Sequence, residues 1–332
     1  MKMLRFARGL LGVGPALLLA AAALHAQYQP PRHDAPQPII GRDENEYTYY
    51  AAQGFQFERD RTPAWALAEH RRLDTVLAAL TPQRKGVVDA YVLAVGLDSD
   101  PVFGREAREA GKVLSRRYDA AGHTIVLAGS DGAAESDLPR GSPDNISIAL
   151  ARIAEAMDKN EDVLVLYTTS HGAPYGIAYN DGNEGIGTIS PGRLWAMLDA
   201  LGLKRRLVMI SACFSGVFAP MIASDDSVLL TAASSDRPSF GCQSDGDWTF
   251  FGDALINNAL RKPQPLEAAA REAKGLIAGW EARGKLDPSN PQIAIGSRAG
   301  VWLTPLEART PKTATAPVGR PSIALLDQIK PH

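Results

Sequence analysis

From residue 87 onward, apolar and polar positions alternate in short blocks of two kinds. Residues 87–97 form a nearly continuous apolar run, the pattern of a strand covered on both faces. Further short apolar runs at 123–128, 162–169, 207–210, 228–232 and 293–295 predict strands of the same sort. Between and after them, residues 105–118, 143–157, 191–201, 248–260 and 265–280 predict helices. Strand and helix in alternation predict one α/β domain over residues 85–305, a mostly parallel sheet with helices on both faces.

The flanks read differently. Trp65, Leu67, Leu73, Val76, Leu77 and Leu80 recur at roughly helical spacing, with Thr62 placed to cap and Pro63 at the first helical position. Residues 62–84 are therefore a leading helix. Residues 27–61 carry several prolines, then a polar, tyrosine-rich stretch without a clear period, and read as a linker or surface arm. Residues 306–332, rich in proline, threonine and alanine, read as a flexible tail. At the front, Lys2, Arg5 and Arg8 precede an apolar run over 10–24, which predicts a signal peptide over 1–26, cut after Ala26 or alternatively after Ala23. The run is shorter than the roughly 20 residues a spanning helix needs, so the mature chain is expected to be exported and to lack a membrane span.

At 332 residues the chain can build a sizeable core, and its formal charge of -2 gives no electrostatic case for a nucleic-acid partner. Charge removes one class of function; cysteine usage suggests another. Only Cys213 and Cys242 are present, and a disulfide between them is the structural alternative to a reactive thiol. Cys213 follows the predicted strand 207–210 and is trailed by Phe214, Ser215 and Gly216, so it sits where a buried strand ends and the backbone turns. A nucleophilic thiol needs such a place, because it must reach a substrate. The strand 162–169 runs likewise into Ser170, His171 and Gly172. In an open parallel sheet, ligands bind beyond the carboxyl ends of the strands. If these two strands are neighbours, their ends lie about 5 Å apart and His171 can act as general base toward Cys213. Gly172 can then add its N–H to that of Cys213 in facing the oxyanion. No metal or other cofactor is required by this chemistry, and His70 and His123 have no second ligand at metal spacing. Ser211 and Ser215 lack a surrounding Gly-x-Ser-x-Gly, which disfavours a serine hydrolase.

The stretches Tyr167-Thr-Thr-Ser-His171-Gly172 and Ser211-Ala-Cys213-Phe-Ser-Gly216 resemble the legumain family of cysteine peptidases. The resemblance continues through residues 231–242 and 248–253 and covers roughly 88–300. It implies a caspase-like three-layer sandwich, with His171 as base, Cys213 as nucleophile and Gly172 at the oxyanion. It also implies cleavage of a peptide or protein substrate, after asparagine in the family. The family's specificity pocket uses an acidic residue directly after the nucleophile, another in the segment matching Asp253, and an arginine after the first strand, for which Arg105 is the candidate. Phe214 departs from this pattern, being aromatic where the family is acidic. The resemblance reads Cys242 as structural, while Ser235 and Asp236, in the loop after strand 228–232, are further candidates for the substrate groove. Two other readings share the fold: a transpeptidase in the same site, and a peptide-binding module without catalysis.

Overall fold

The computed structural model describes residues 28–35 and 41–329, so the expected signal peptide lies outside the described residues. The segment expected as a linker carries helix α1 (Glu44–Ala52) and strand β1 (Gln56–Glu58). Helix α2 (Pro63–Ala78) starts as the sequence requires: the Thr62 hydroxyl accepts the Trp65 N–H at 3.1 Å, with proline in the first turn. There follow β2 (Ala90–Gly96), α3 (Pro101–Arg117), β3 (Thr124–Leu127), α4 (Pro143–Ala156) and β4 (Val163–Thr169). A hairpin region of β5 (Gly172–Ala173), β6 (Gly176–Asp181) and β7 (Gly185–Ile189) precedes α5 (Pro191–Ala200). The second half comprises β8 (Arg206–Ser211), α6 (Ala219–Ile222), β9 (Ser227–Thr231), α7 (Leu266–Gly284), β10 (Gln292–Ile295) and α8 (Gly300–Ala308).

The main sheet has six strands in the order β10-β9-β8-β4-β2-β3, parallel except for β10, which pairs antiparallel with β9 at one edge. Period-2 alternation divides each central strand between two cores. Ala90, Val92 and Ala94 of β2 join the core formed with α3, α7 and α8, whereas Tyr91, Leu93 and Val95 join the one formed with α2, α4 and α5. These are the three layers expected from the sequence. β4 lies between β2 and β8, with every residue from Val163 to Thr169 buried, which explains the unbroken apolar run that marks it in the sequence.

Three features depart from expectation. β5 to β7 form, with β1, a separate four-stranded antiparallel sheet, β1-β7-β6-β5, that leans over the carboxyl ends of the main strands; Asn180 of β6 bridges Asp98 in the loop after β2. The stretch expected as an α-helix over 248–260 is instead a π-helical segment, Gly252–Asn258, followed by a single 3-10 turn. The stretch read as a flexible tail has a definite place through residue 329: Val318 accepts the Trp248 indole N–H at 2.9 Å and donates its own N–H to Asn257 at 2.8 Å. No helix among the described residues is long and apolar enough to cross a membrane.

Candidate active site

β4 and β8 pair in parallel with Thr169 opposite Ser211, and the Ser170 N–H donates to the Ser211 carbonyl at 3.1 Å. His171 and Cys213 each follow two residues later, so they leave neighbouring strands at the same level. Gly172 is pressed against the nucleophile's backbone: a Cβ built on it would lie 2.1 Å from the Cys213 carbonyl oxygen. Only glycine permits that approach. Across the hairpin, Gly172 faces Ile177 while the adjacent Ala178 N–H donates to the His171 carbonyl at 3.0 Å. This makes Gly172 and Ile177 a non-hydrogen-bonded pair, and the Gly172 N–H is left out of the ladder.

Cys213 is half-buried and unbonded to Cys242, so both thiols are free. Its Sγ receives the Ser239 N–H at 3.2 Å and the Ser239 hydroxyl at 3.6 Å, donors placed where negative charge on sulfur would develop. The next residue, Phe214, has φ 56° and ψ 14°, a left-handed conformation that costs a bulky side chain about 1–2 kcal/mol. Its N–H is held by the Arg237 carbonyl at 2.8 Å, and its carbonyl accepts the Val217 N–H at 3.0 Å. The chain therefore leaves β8 through a sharp corner with the thiol on it, then enters a short 3-10 turn, Ser215–Phe218. Cys242 is unlike Cys213: burial, and then the neighbouring Cys213 charge, push its thiol up to about 12.

His171 is partly buried, with the Phe103 ring edge-on at 5.1 Å between centroids. Burial lowers its pKa, and the opposing charge of Asp100 only partly offsets this, so the ring is neutral and able to take a proton near neutral pH. The competing serines have structural duties. Buried Ser211 pairs with the Thr249 hydroxyl at 2.9 Å, and buried Ser215 accepts the Ala233 N–H at 3.1 Å.

The residues expected to line the substrate groove fall in different places. Arg105 donates to the carbonyls of Gly246 at 3.1 Å, Asp131 at 2.6 Å and Ser244 at 2.6 Å, and pairs with Asp247 at 3.3 Å. Together with Asp247 and Trp248 it lines a cavity of about 240 Å³. Asp253 does not reach the groove, contrary to expectation. It is 1% exposed within the π-helical segment; one carboxylate oxygen accepts from Asn257 and Asn258 at 2.9 and 3.0 Å, the other from the Ser322 N–H and hydroxyl at 2.7 and 2.9 Å. The extra residue per turn of the π-helix turns this carboxylate inward, where it fastens the tail. Ser235 and Asp236 are exposed beside the Phe214 corner, and the Ser234 hydroxyl, at 2.6 Å, holds the Asp236 carboxyl below its usual range.

Residues 144–296 match the Peptidase C13 family. The matched span holds both His171 and Cys213. Among solved structures it is similar to caspase-1 from Spodoptera frugiperda, at 16% identity and a TM-score of 0.42, over 64% of this chain and 88% of that one. No curated protein matches the chain.

The site has four features that the sequence reading missed. Asp100, at the amino end of α3, lies near enough to His171 for its charge to act on the ring. It follows β2 at the same sheet edge, so the strand-end rule that found His171 would have reached it. Ser239 touches the thiol from a loop with no periodic signal. Asp247, in Gly246-Asp247-Trp248, is a carboxylate that meets Arg105. Lastly, buried Glu106 accepts the Tyr167 hydroxyl at 2.6 Å and the Thr249 N–H at 2.7 Å, tying α3 and the 249–252 segment to the strand that carries His171. A glutamate in a helical repeat gives no hint that it points into the core.

Proposed function

We propose that the protein is an endopeptidase that works through a thioester acyl-enzyme on Cys213, with His171 as general base. The observation that carries this reading is the level placement of the two residues at adjacent strand ends, with Gly172 packed on the Cys213 carbonyl. His171 takes the thiol proton as sulfur attacks the scissile carbonyl carbon, and the resulting oxyanion is met by the N–H groups of Cys213 and Gly172. The imidazolium then gives its proton to the departing amine, and the thioester remains. Water, deprotonated by the same imidazole, attacks the thioester and releases the acid and the thiol. Phe214, next to the nucleophile, and the cavity lined by Arg105 and Asp247 are the candidate substrate-binding features. The basic and apolar pattern of residues 1–26 supports action outside the cytoplasm.

Cys213→Ala and His171→Ala test the assignment. Each is expected to lower turnover of a mixed peptide library by on the order of 10⁴-fold or more, with unfolding midpoints unchanged. The wild-type protein should form a covalent adduct with an acyloxymethyl-ketone probe, located by mass spectrometry on Cys213. Full activity in either variant defeats the assignment.

A further inference from the structure

The arm ahead of the domain brings a histidine to two aspartates at the catalytic edge. His33, Asp98 and Asp100 each offer one ligand atom, and these atoms all lie within 4.8 Å of one another. The His33 Nε2 to Asp100 carboxylate distance is 3.6 Å, close to the separation of two ligands on one tetrahedral or octahedral ion. Asp98 is 2% exposed; one carboxylate oxygen accepts the Asp100 N–H at 2.8 Å, while the other, Oδ2, is buried with no hydrogen-bond partner. A second buried oxygen without a partner, Oδ1 of Asn180, belongs to the side chain whose amide nitrogen lies 3.1 Å from His33 Nδ1. On the inner side of Asp98 a cavity of about 10 Å³, lined also by Ser99, Arg140, Asn180 and Asp181 but not by His33 or Asp100, has room for a single small occupant.

Orphaned buried oxygens are rare in folded proteins, and a buried carboxylate without a donor is the costliest kind. Here the Asp98 carboxylate lies beside an imidazole and a second carboxylate. Arg61 and Arg140, the nearby cations, are engaged by Glu58 and by the far carboxylate Asp181, and neither is bonded to Asp98. We propose that His33, Asp98 and Asp100 form a binding site for a divalent cation that pins the 28–35 arm to the loop after β2. The imidazole favours zinc or manganese over calcium, which takes oxygen ligands alone. The ion supplies a partner for the Asp98 oxygen and takes the place of the Ser99 hydroxyl, which lies 3.2 Å from His33 Nε2. It also turns a contact between an exposed arm and the domain into a coordinated joint that includes Asp100, whose charge acts on His171.

The test uses the full chain stripped with EDTA and dialysed, then titrated calorimetrically with Zn²⁺, Mn²⁺ and Ca²⁺ in turn. One equivalent of Zn²⁺ or Mn²⁺ is expected to bind, and His33→Ala, on the exposed arm, is expected to weaken it by about 10- to 100-fold. Asp98→Asn should do the same, and circular dichroism will show whether that variant folds; His33→Ala carries the test if it does not. Cys213→Ala should leave binding unchanged, which separates this site from a metal held by the catalytic thiol. Limited proteolysis supplies a second readout, with the arm cut more slowly when the ion is present. The proposal is overturned if none of the three ions binds at millimolar concentration, if binding survives His33→Ala, if Cys213→Ala removes it, or if Ca²⁺ binds in preference to the other two.

Discussion

The two ends of the central sheet treat buried carboxylates in opposite ways. At the amino ends of β2 and β4, Asp162 accepts the N–H groups of Asp89 and Asp158, each at 2.8 Å, and Asp89 accepts the backbone N–H and guanidinium of Arg84 at 2.6 and 2.8 Å. Both are fully buried and every oxygen has a donor. At the carboxyl ends of the same strands, Asp98 is as deeply buried but keeps one oxygen unpaired, and the hydroxyls of Thr168 and Thr169 are likewise unpaired. Burial, joined by the charges of Asp100 and Asp181, pushes Asp98 up to about 7. One end of the sheet is finished by the chain itself. The other is left open to something that is not the chain, and there lie the thiol and the imidazole.

The contrast can be broken at several points. The largest expected effect is at the open end. Gly172→Ala forces the backbone away from the Cys213 carbonyl, and a displacement of that size is expected to lower kcat/KM of the folded protein by about 100-fold, with a loss of stability beside it. Near-normal kinetics in that variant would show that the glycine does not set the spacing. At the finished end the expectation reverses. Asp162→Ala leaves two buried N–H groups without acceptors and should destabilise the fold by about 1–3 kcal/mol in urea unfolding, with kcat/KM of the folded fraction unchanged.

A smaller effect of opposite sign is expected from Thr168→Val. Replacing an unpaired buried hydroxyl by a methyl group of the same shape should be neutral or stabilising by up to about 1 kcal/mol, and a loss of stability would mean that the hydroxyl has a partner. The subtlest test is the pH profile. Because burial lowers the His171 pKa, the acid limb of kcat/KM is expected below the ordinary imidazole value of about 6.5. Asp100→Asn removes the charge that opposes this shift, so the limb should move lower still; movement upward contradicts the pairing. The same depression has a stability consequence. As pH falls through the ordinary imidazole range the unfolded chain protonates first, so His171 withdraws stability on acidification.

The layers of the fold were legible because the central strands are buried on both faces and so leave unbroken apolar runs, and because Thr62 and Pro63 announce α2. The placement of His171 and Cys213 at one sheet edge was legible for the same reason, since strand ends can be counted. What escaped notice depends on contacts between distant segments. The sheet of β5 to β7 is short and glycine-rich, with Gly172, Gly176, Gly185 and Gly187 in its strands, so it carries little apolar periodicity. The inward turn of Asp253 depends on a π-helical register that spacing read at 3.6 residues per turn cannot reveal. His33, among prolines of the arm, shows no signal until the arm is seen beside Asp98 and Asp100. Chemistry assembled from one strand and its end can be read from sequence, whereas chemistry assembled by a returning segment cannot.

Phe214 holds its left-handed corner against its own preference, and this has a consequence for how the protein would respond to selection. Any screen that rewards thermal endurance alone will be drawn to that position, where glycine or asparagine fits the turn without strain. Such variants would be sturdier, yet the corner that presents the thiol would be free to wander. Endurance and reactivity are thus set against each other at a single backbone angle, and a line bred only for toughness should drift toward silence.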